Sequence, residues 1–166
     1  MKLIQMKFNK ILRRTASALM ALTIMGSVAH AECPLIDTPG TLNYAGCDLT
    51  NMTLLTDLRY ASMQFSNLSG RNLSSIHFDR ANLQGVNFAG ANMDSVTMAG
   101  ANLQGANLTG AIVTRAKLQG ADMTNANLQN VNFTGTNLQG VNFTGANLTG
   151  AIFTRTITTG AVGLSR

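Results

Sequence analysis

The stretch ANLQGANLTGAIVTRAKLQG at residues 101–120 has an apolar residue at every fifth position: Leu103, Leu108, Val113 and Leu118. An alanine stands two positions before each of them. An α-helix would need apolar spacings of three and four, and a β-strand would need strict alternation. Since a period of five fits neither element, the stretch predicts a different kind of repeating structure.

The same frame covers most of the chain. From Thr56 to Arg155 it divides into twenty five-residue units without an insertion or a deletion, and the third place of every unit is apolar. The first place is mostly Ala or Val, the second is usually Asn, and the fifth is often Gly. Two inward residues around one outward residue form a very short extended segment, and the last two places suit a turn. The repeat therefore predicts a solenoid whose turns stack about 4.8 Å apart. Upstream, Cys47-Asp48-Leu49 continues the pattern one residue out of register.

Units such as ANLQG (81–85), ANLTG (106–110) and ADMTN (121–125) resemble the A-(D/N)-L-x-x signature of the pentapeptide-repeat family. The resemblance implies an all-β fold: a right-handed quadrilateral β-helix with four units per turn and about five to six turns. It also implies that the small first-place residues and the large third-place residues face inward. The recurrence of ANLTGAI at 106 and at 146, two such turns later, supports a turn of twenty residues.

Residues 1–31 have the organisation of a secretory signal peptide. An apolar run from Thr15 to Val28 leads to the cleavage site Ala29-His30-Ala31. This run is shorter than the roughly 20 residues that a membrane-spanning helix needs. Five of the 12 Lys and Arg residues precede it: Lys2, Lys7, Lys10, Arg13 and Arg14. We expect cleavage near Ala31, no stable membrane anchor afterwards, and a periplasmic or secreted bacterial protein. General secretion is the default route; Arg13-Arg14 leaves twin-arginine export as the alternative, although bulky residues do not follow the pair.

The mature chain is predicted to consist of an N-terminal cap segment (32–46), the solenoid (47–160) and a short tail (161–166). Its seven cations balance its seven anions, so the net charge of +5 belongs to the targeting segment. Cys33 and Cys47 are the two cysteines, and in an oxidising compartment an isolated pair favours a disulfide. Metal binding is the alternative, although the sequence contains no CxxC.

The sequence contains no obvious catalytic motif. An uninterrupted frame leaves no long loops for an active site, and no phosphate-cradling glycine motif, cofactor motif or cluster of metal ligands is present. We therefore predict no catalytic, cofactor-binding or metal-binding residues. Ser and Thr are numerous, but they occupy outward and turn places where they serve the fold.

The most distinctive predicted surface is TDLRY (56–60) stacked one turn from IHFDR (76–80). A register of twenty aligns three complementary pairs: Asp57 with His77, Arg59 with Asp79, and Tyr60 with Arg80. We call these six residues the charged patch. One interpretation is a ladder of exposed pairs that each contribute little to stability. The other is a recognition surface, because Tyr and Arg are enriched at binding hot spots.

Three further predictions concern Arg71, a basic stripe and a ladder of asparagines. Arg71 occupies an inward first place, where a buried unpaired cation would be costly, so we expect a bulge or an outward-turned side chain. A thin basic stripe of Arg71, Arg115 and Arg155 against Asp94 is too sparse to predict nucleic-acid binding. On the opposite side one asparagine per turn should form a ladder: Asn67, Asn87, Asn107, Asn127 and Asn147.

The sequence thus predicts a non-enzymatic exported solenoid that acts as a protein-binding or structural scaffold. Its partner would be an unidentified protein, with a homodimer through the C-terminal turn as a further expectation. A DNA-mimicking, topoisomerase-protecting protein is one alternative, but it needs a strongly acidic column. An ice- or surface-binding solenoid is another, although its threonine array would be irregular: Ser69, Ala89, Thr109, Gln129 and Thr149.

Overall fold

The computed structural model describes residues 43–51 and 54–164. The chain divides into two units, Met1–His30 and Ala31–Arg166, and all described residues belong to the second. The predicted signal peptide (1–31), Cys33 and most of the predicted cap segment lie outside the described residues.

Single-residue parallel β-bridges build the described part of the chain, in which no helix and no longer strand occurs. From Asp57↔His77 to Asn142↔Val162, each bridge joins a residue to the one twenty positions later. Because each unit has five residues, this register gives a coil with four sides, so the predicted turn length is confirmed.

The first turn is one residue short, as the sequence predicts. Its bridges, Asn43↔Ser62 and Asp48↔Asn67, each span nineteen residues. The bridged region runs from Asn43 to Val162. It therefore extends beyond the predicted bounds of 47–160 on both sides, and Tyr44 of the predicted cap is already buried.

The unit Ala101–Gly105 illustrates why the repeat folds in this way. Ala101 and Leu103 are buried inside the coil, whereas Asn102 faces outward at the bridge. The Asn102 Oδ1 accepts the N–H of Gln104 at 3.1 Å, which satisfies a backbone donor that leads into the corner. The turn closes with the N–H of Ala106 donating to the C=O of Leu103 at 3.0 Å. Its last residue, Gly105, has φ +64°, which a glycine adopts without steric cost.

Third-place side chains fill the axis of the coil as a single column, and those from Leu58 to Phe143 are fully buried. Burying a side chain of this size contributes about 1.5–3 kcal/mol. Two groups of phenylalanines occur in the column. Phe78 and Phe88 meet edge to face at 6.1 Å between ring centroids, and Phe133 stacks on Phe153 at 5.4 Å. Since side chains occupy the interior, ligand recognition must use the outer faces or the ends.

Arg71 adopts neither of the two arrangements predicted for it. Its backbone keeps the regular bonds, with the C=O of Arg71 accepting the N–H of Asn92 at 2.8 Å, so no bulge forms. The half-buried side chain instead donates from Nη1 to the C=O of Leu49 at 2.8 Å and of Thr50 at 3.1 Å. The cation is accommodated because the short first turn leaves two carbonyl groups within its reach.

Cys47 is buried in the first turn and is disulfide-bonded. Its C=O accepts the N–H of Asn67 at 2.7 Å, which ties it to the next turn. Since Cys33 lies outside the described residues, the pairing of Cys33 with Cys47 stays a prediction.

The C-terminal end is open. The last bond between turns on the final side runs from the N–H of Phe143 to the C=O of Val162, and within the described residues the N–H groups of Leu148, Phe153 and Thr158 make no hydrogen bond. A depression of about 770 Å³ lies at this end, lined by the half-buried side chains of Leu148, Phe153 and Leu164 among others. Leu164 packs against the core at this end, whereas Val162 remains 53% exposed.

Candidate functional site

The charged patch lies at one end of the patch face, which is the side formed by units 56–60, 76–80, 96–100, 116–120, 136–140 and 156–160. The bridge Asp57↔His77 sets the register, so the three predicted pairs are stacked neighbours. Of the three stacked pairs, only Tyr60 and Arg80 bond to each other through their side chains; the side chains of the other two pairs bond to other residues.

Arg59 pairs with Asp57 of its own unit, which corrects the predicted pair with Asp79. Arg59 Nη2 lies 2.6 Å from Asp57 Oδ2, and Nε donates to Oδ1 at 2.9 Å. The side-chain bond from Arg59, followed by the bond from its backbone N–H, lowers the pKa of Asp57 to about 2. The same side-chain bond raises the pKa of Arg59. Asp57 and Arg59 both face outward from the same unit and are two residues apart, so they can pair without a contact from the next turn of the coil.

His77 and Asp79 join through Thr97 of the following turn. His77 keeps its predicted place beside Asp57 at the bridge, but among the described residues the two side chains share no hydrogen bond. The Thr97 hydroxyl donates to Asp79 Oδ2 at 2.6 Å, and His77 Nδ1 lies 3.0 Å from the same Thr97 oxygen. Because the hydroxyl has one proton, Nδ1 must be the donor in this contact. Asp79 Oδ1 also accepts the N–H of Ala99 at 2.8 Å. Asp79 is thereby engaged by the protein itself.

Tyr60 and Arg80 form the predicted contact. Arg80 Nη1 donates to the Tyr60 hydroxyl at 3.3 Å, and the guanidinium carbon lies 5.9 Å from the ring centroid. This is within the range of a cation–π interaction. Arg80 makes no ion pair with a carboxylate among the described residues, and Tyr60 is 67% exposed.

The predicted basic stripe is partly neutralised. Arg115 forms an ion pair with Asp94, which also accepts a hydrogen bond from the Thr114 hydroxyl. The bond from Thr114 is the largest influence on the pKa of Asp94, which lies below its usual value although partial burial opposes the shift. Arg71 is engaged with the first turn, as described above. Among the described residues, Arg155 makes no ion pair with a carboxylate.

The asparagine ladder forms in the first turns. Asn87 Nδ2 donates to Asn67 Oδ1 at 3.1 Å, and Asn107 Nδ2 donates to Asn87 Oδ1 at 3.2 Å. Asn67 in turn donates to Asp48 at 3.4 Å. Asn127 and Asn147 continue the column through backbone bridges. The ladder is consistent with a structural role, because the amides of Asn67, Asn87 and Asn107 bond along the coil.

Phe65 is a surface residue that the sequence analysis missed. It occupies a fifth place, where glycine predominates, with φ +59° and 68% of its surface exposed. Its ring lies against the backbone of Gly85, since a Cβ atom built there would be 2.5 Å from Phe65 Cδ1. The available signal was the aromatic residue at a glycine place in ASMQF (61–65).

Two negative observations hold for residues 43–51 and 54–164. No three His, Cys, Asp or Glu side chains come together as metal ligands would. No helix in this part is sufficiently long and apolar to cross a bilayer.

A model of pentapeptide repeats, in eight copies, matches residues 76–115 and 116–155, within the frame of the repeat. This chain belongs to the pentapeptide-repeat family. The family fold is the quadrilateral β-helix, which agrees with the four-sided coil of twenty-residue turns. No curated protein matches the chain.

Several solved structures are similar to it. HetL, a pentapeptide repeat protein involved in heterocyst differentiation regulation in the cyanobacterium Nostoc, is 28% identical with a TM-score of 0.47, over 72% of this chain and 61% of HetL. A pentapeptide repeat protein of the Arabidopsis thaliana thylakoid lumen is 34% identical with a TM-score of 0.39, over 56% of this chain and 61% of that protein. QnrB1, a plasmid-mediated fluoroquinolone resistance protein, is 20% identical with a TM-score of 0.44, over 73% of this chain and 72% of QnrB1. The chain spans 61% of the length of the first two.

Proposed function

We propose that this protein is an exported, non-enzymatic scaffold that binds a protein partner through the charged patch, in the periplasm or outside the cell. Pentapeptide-repeat proteins are generally binding or structural proteins. Export would be directed by the signal peptide predicted at residues 1–31, which would be removed by cleavage near Ala31. The charge balance of the mature chain favours a protein surface over a nucleic acid as the partner.

The position of the Arg80 guanidinium, beside an exposed aromatic ring and away from any carboxylate of the described residues, carries this proposal. The acidic groups of the patch are engaged by the protein's own donors, Asp57 by Arg59 and Asp79 by Thr97. Arg80 is held beside the exposed ring of Tyr60 and has no carboxylate partner in the described part of the chain. An arginine fixed on an aromatic ring is preorganised to donate hydrogen bonds to a carboxylate of another molecule, which reduces the entropy lost on binding.

The test is affinity capture from an envelope extract with the exported protein as bait, followed by titration with each captured partner after purification. The variant is the double substitution Tyr60→Ala and Arg80→Ala, and Arg155→Ala is the matched control, since Arg155 is also an exposed arginine at a corner. We expect a partner that binds the wild type and the control equally and binds the double variant at least about tenfold more weakly. Equal binding of all three by every purified partner would remove the patch assignment.

The open C-terminal end supports a homodimer as a second part of the proposal. It presents unbonded N–H groups on the last turn, and unpaired strand edges are templates for pairing with another chain. Ile157 and Val162, exposed by 51% and 53%, stand in outward places on the same turn. A second copy offers an end of the same shape and apolar character, related by a two-fold axis.

The two alternatives gain no support from particular residues. A topoisomerase-protecting DNA mimic needs an acidic surface, whereas six Arg and Lys stand against five Asp in the described residues. An ice-binding face needs free hydroxyl groups. Those of Ser69, Thr109 and Thr149 donate instead to the asparagine two positions earlier, at 2.9, 2.7 and 2.8 Å.

A further inference from the structure

A groove of about 280 Å³ follows one corner of the coil, on a different side from most of the charged patch. Its floor is the open backbone of Gly105 and the backbone of Gly85, against which the ring of Phe65 lies; nothing would lie within 4 Å of a Cβ atom at Gly105. The ring of Phe65 bounds one end and Asn125 lies at the other. The same corner of four successive turns is occupied by Phe65, Gly85, Gly105 and Asn125. The groove forms because the two glycines lie between two residues that have large side chains.

Phe65 occupies its position against local preference. Bulky residues with positive φ are rare, and such strain concentrates at functional sites. Leaving 68% of a phenylalanine in water further opposes this arrangement. The Cδ1–Cε1 edge of the ring lies against Gly85, and most of the side chain is exposed as an apolar platform at the mouth of the groove.

The wall of the groove is made of amides on what we call the glutamine face: the side formed by units 61–65, 81–85, 101–105, 121–125 and 141–145. Within the described residues, the side-chain amide of Gln84, which lines the groove, makes no hydrogen bond. The Nδ2 donors of Asn82 and Asn102, which lie on the same face but do not line the groove, also have none in this part of the chain. They are half-buried, so solvent and a ligand can both reach them. The wall therefore offers donors and acceptors at the spacing of the turns.

Asp122 is the single charged residue of the glutamine face. Its carboxylate accepts hydrogen bonds from Gln104 Nε2 at 2.6 Å and from the Thr124 hydroxyl at 2.5 Å. Burial raises the pKa of Asp122, but the bonds from Gln104 and Thr124 outweigh that effect and the pKa is lowered. These bonds compensate the charge of Asp122, and no Lys or Arg is among the described residues that line the groove, where it could attract a phosphate or a carboxylate.

We propose that this groove binds a neutral glycan chain, with a sugar ring stacked on Phe65 and its hydroxyl groups bonded to the amides of Gln84 and Gln104. The axial C–H bonds of a pyranose carry partial positive charge and match the negative face of an aromatic ring. Side-chain amides both donate and accept, as sugar hydroxyl groups do. A long flat face with repeated amides suits a linear chain, whereas a compact apolar ligand would leave the amides unpaired.

The experiment titrates the exported protein with chitohexaose and with cellohexaose, which are neutral, and with hexagalacturonate, which is anionic. Amide chemical shifts and calorimetry provide the readouts. We expect at least one neutral hexasaccharide to shift the signals of Gly85 and Gly105 and to bind more tightly than hexagalacturonate. Phe65→Ala should weaken that binding by about tenfold.

A matched pair of corner substitutions tests the groove without removing the aromatic ring. Gly105→Asn would fill the floor with a residue that tolerates positive φ, as Asn125 and Asn130 do at equivalent corners. Gly90→Asn makes the same change at a corner that is equally open but lies outside the groove. We expect the first variant to lose binding and the second to keep it, with matching thermal unfolding midpoints.

Two results would overturn the glycan proposal. One is the absence of any shift at Gly85 and Gly105 with either neutral hexasaccharide. The other is unchanged affinity of the Gly105→Asn variant. Neither bears on the charged patch, because its test substitutes residues 60 and 80 and measures a protein partner.

Discussion

Phe65 and Gly85, twenty residues apart in the sequence, meet at one corner of the coil with the phenylalanine ring against the glycine backbone. The two atoms nearest to a Cβ built at Gly85 both belong to this ring, at 2.5 and 2.6 Å. Gly85 also has φ +64°, so it is required both for its conformation and for the space that it leaves. This contact fixes the aromatic platform in place.

We expect Gly85→Ala to destabilise the protein for both reasons. Forcing alanine into the left-handed region costs about 1–2 kcal/mol. Displacing the ring adds about 0.5 kcal/mol, since an exposed side chain can rotate away. The measurement is the free energy of unfolding in denaturant.

Gly90→Ala separates the two terms, because Gly90 has the same φ of +64° and nothing within 4 Å of the added carbon. The extra cost at Gly85 should vanish when Phe65→Ala is combined with Gly85→Ala, as a double-mutant cycle would detect. Identical costs at Gly85 and Gly90 in the presence of Phe65 would contradict the contact.

Arg71 should stabilise the first turn through the carbonyl groups that it binds. Arg71→Met keeps much of the length and apolar character of the side chain but leaves the C=O groups of Leu49 and Thr50 without this donor. We expect a loss of about 1–3 kcal/mol in unfolding free energy. Arg155→Met, at an exposed corner on the same side of the coil, should change stability by no more than about 0.5 kcal/mol. Similar values for both variants would show that the contact contributes nothing.

Stability should decrease in acid. The pKa of Asp57 in the folded protein is about 2, below its usual value of 3.8, and those of Asp94 and Asp122 are also lowered. A carboxylate whose pKa is depressed by folding stabilises the folded state fully above its unfolded pKa. That contribution is lost as the pH falls towards the folded pKa.

The thermal midpoint of the wild type should therefore fall between about pH 4 and pH 2. Asp122→Asn should show a shallower decrease, and asparagine suits this place because Asn102 and Asn142 occupy it in the adjacent turns. A midpoint that rises on acidification would refute the argument.

The predicted disulfide between Cys33 and Cys47 should stabilise the first turn. A loop of this length contributes about 3 kcal/mol in the chain-entropy model. We expect no free thiol in the denatured exported protein before reduction and a lower unfolding free energy after it. The double substitution of Cys33 and Cys47 by alanine should reproduce the reduced stability, and two titratable thiols without reductant would exclude the bond.

The homodimer can be tested at the open end with Thr158, which occupies an axial third place but is exposed on the last turn. Thr158→Arg should block a second copy from seating there because a charge would be buried without a partner. Thr159→Arg, one place further and directed outward, is the control. Sedimentation should give a monomer for the first variant and a dimer for the wild type and the control; a monomeric wild type would end the proposal.

The sequence by itself determined the coil. Each unit of five from residue 56 to 155 contains the apolar residue that fills the axis and a corner residue with positive φ, and most contain an asparagine that caps the next backbone donor. These relationships are local, so the repeat is sufficient to predict a solenoid with a short first turn, whereas the twenty-residue turn was implied by the family resemblance and supported by the recurrence of ANLTGAI. The same locality explains the contact of Tyr60 with Arg80, which follows from register alone.

The tertiary structure decided which partners the surface side chains take. Register places Asp79 beside Arg59, yet Arg59 bonds with Asp57, because exposed ion pairs differ by less than about 1 kcal/mol and rotamers choose between them. Likewise, Arg71 keeps a regular backbone only because the short first turn exposes two carbonyl groups to it. The groove beside Phe65 also depends on four corner residues from successive turns, and a pattern that repeats every five residues contains no information about such a vertical combination.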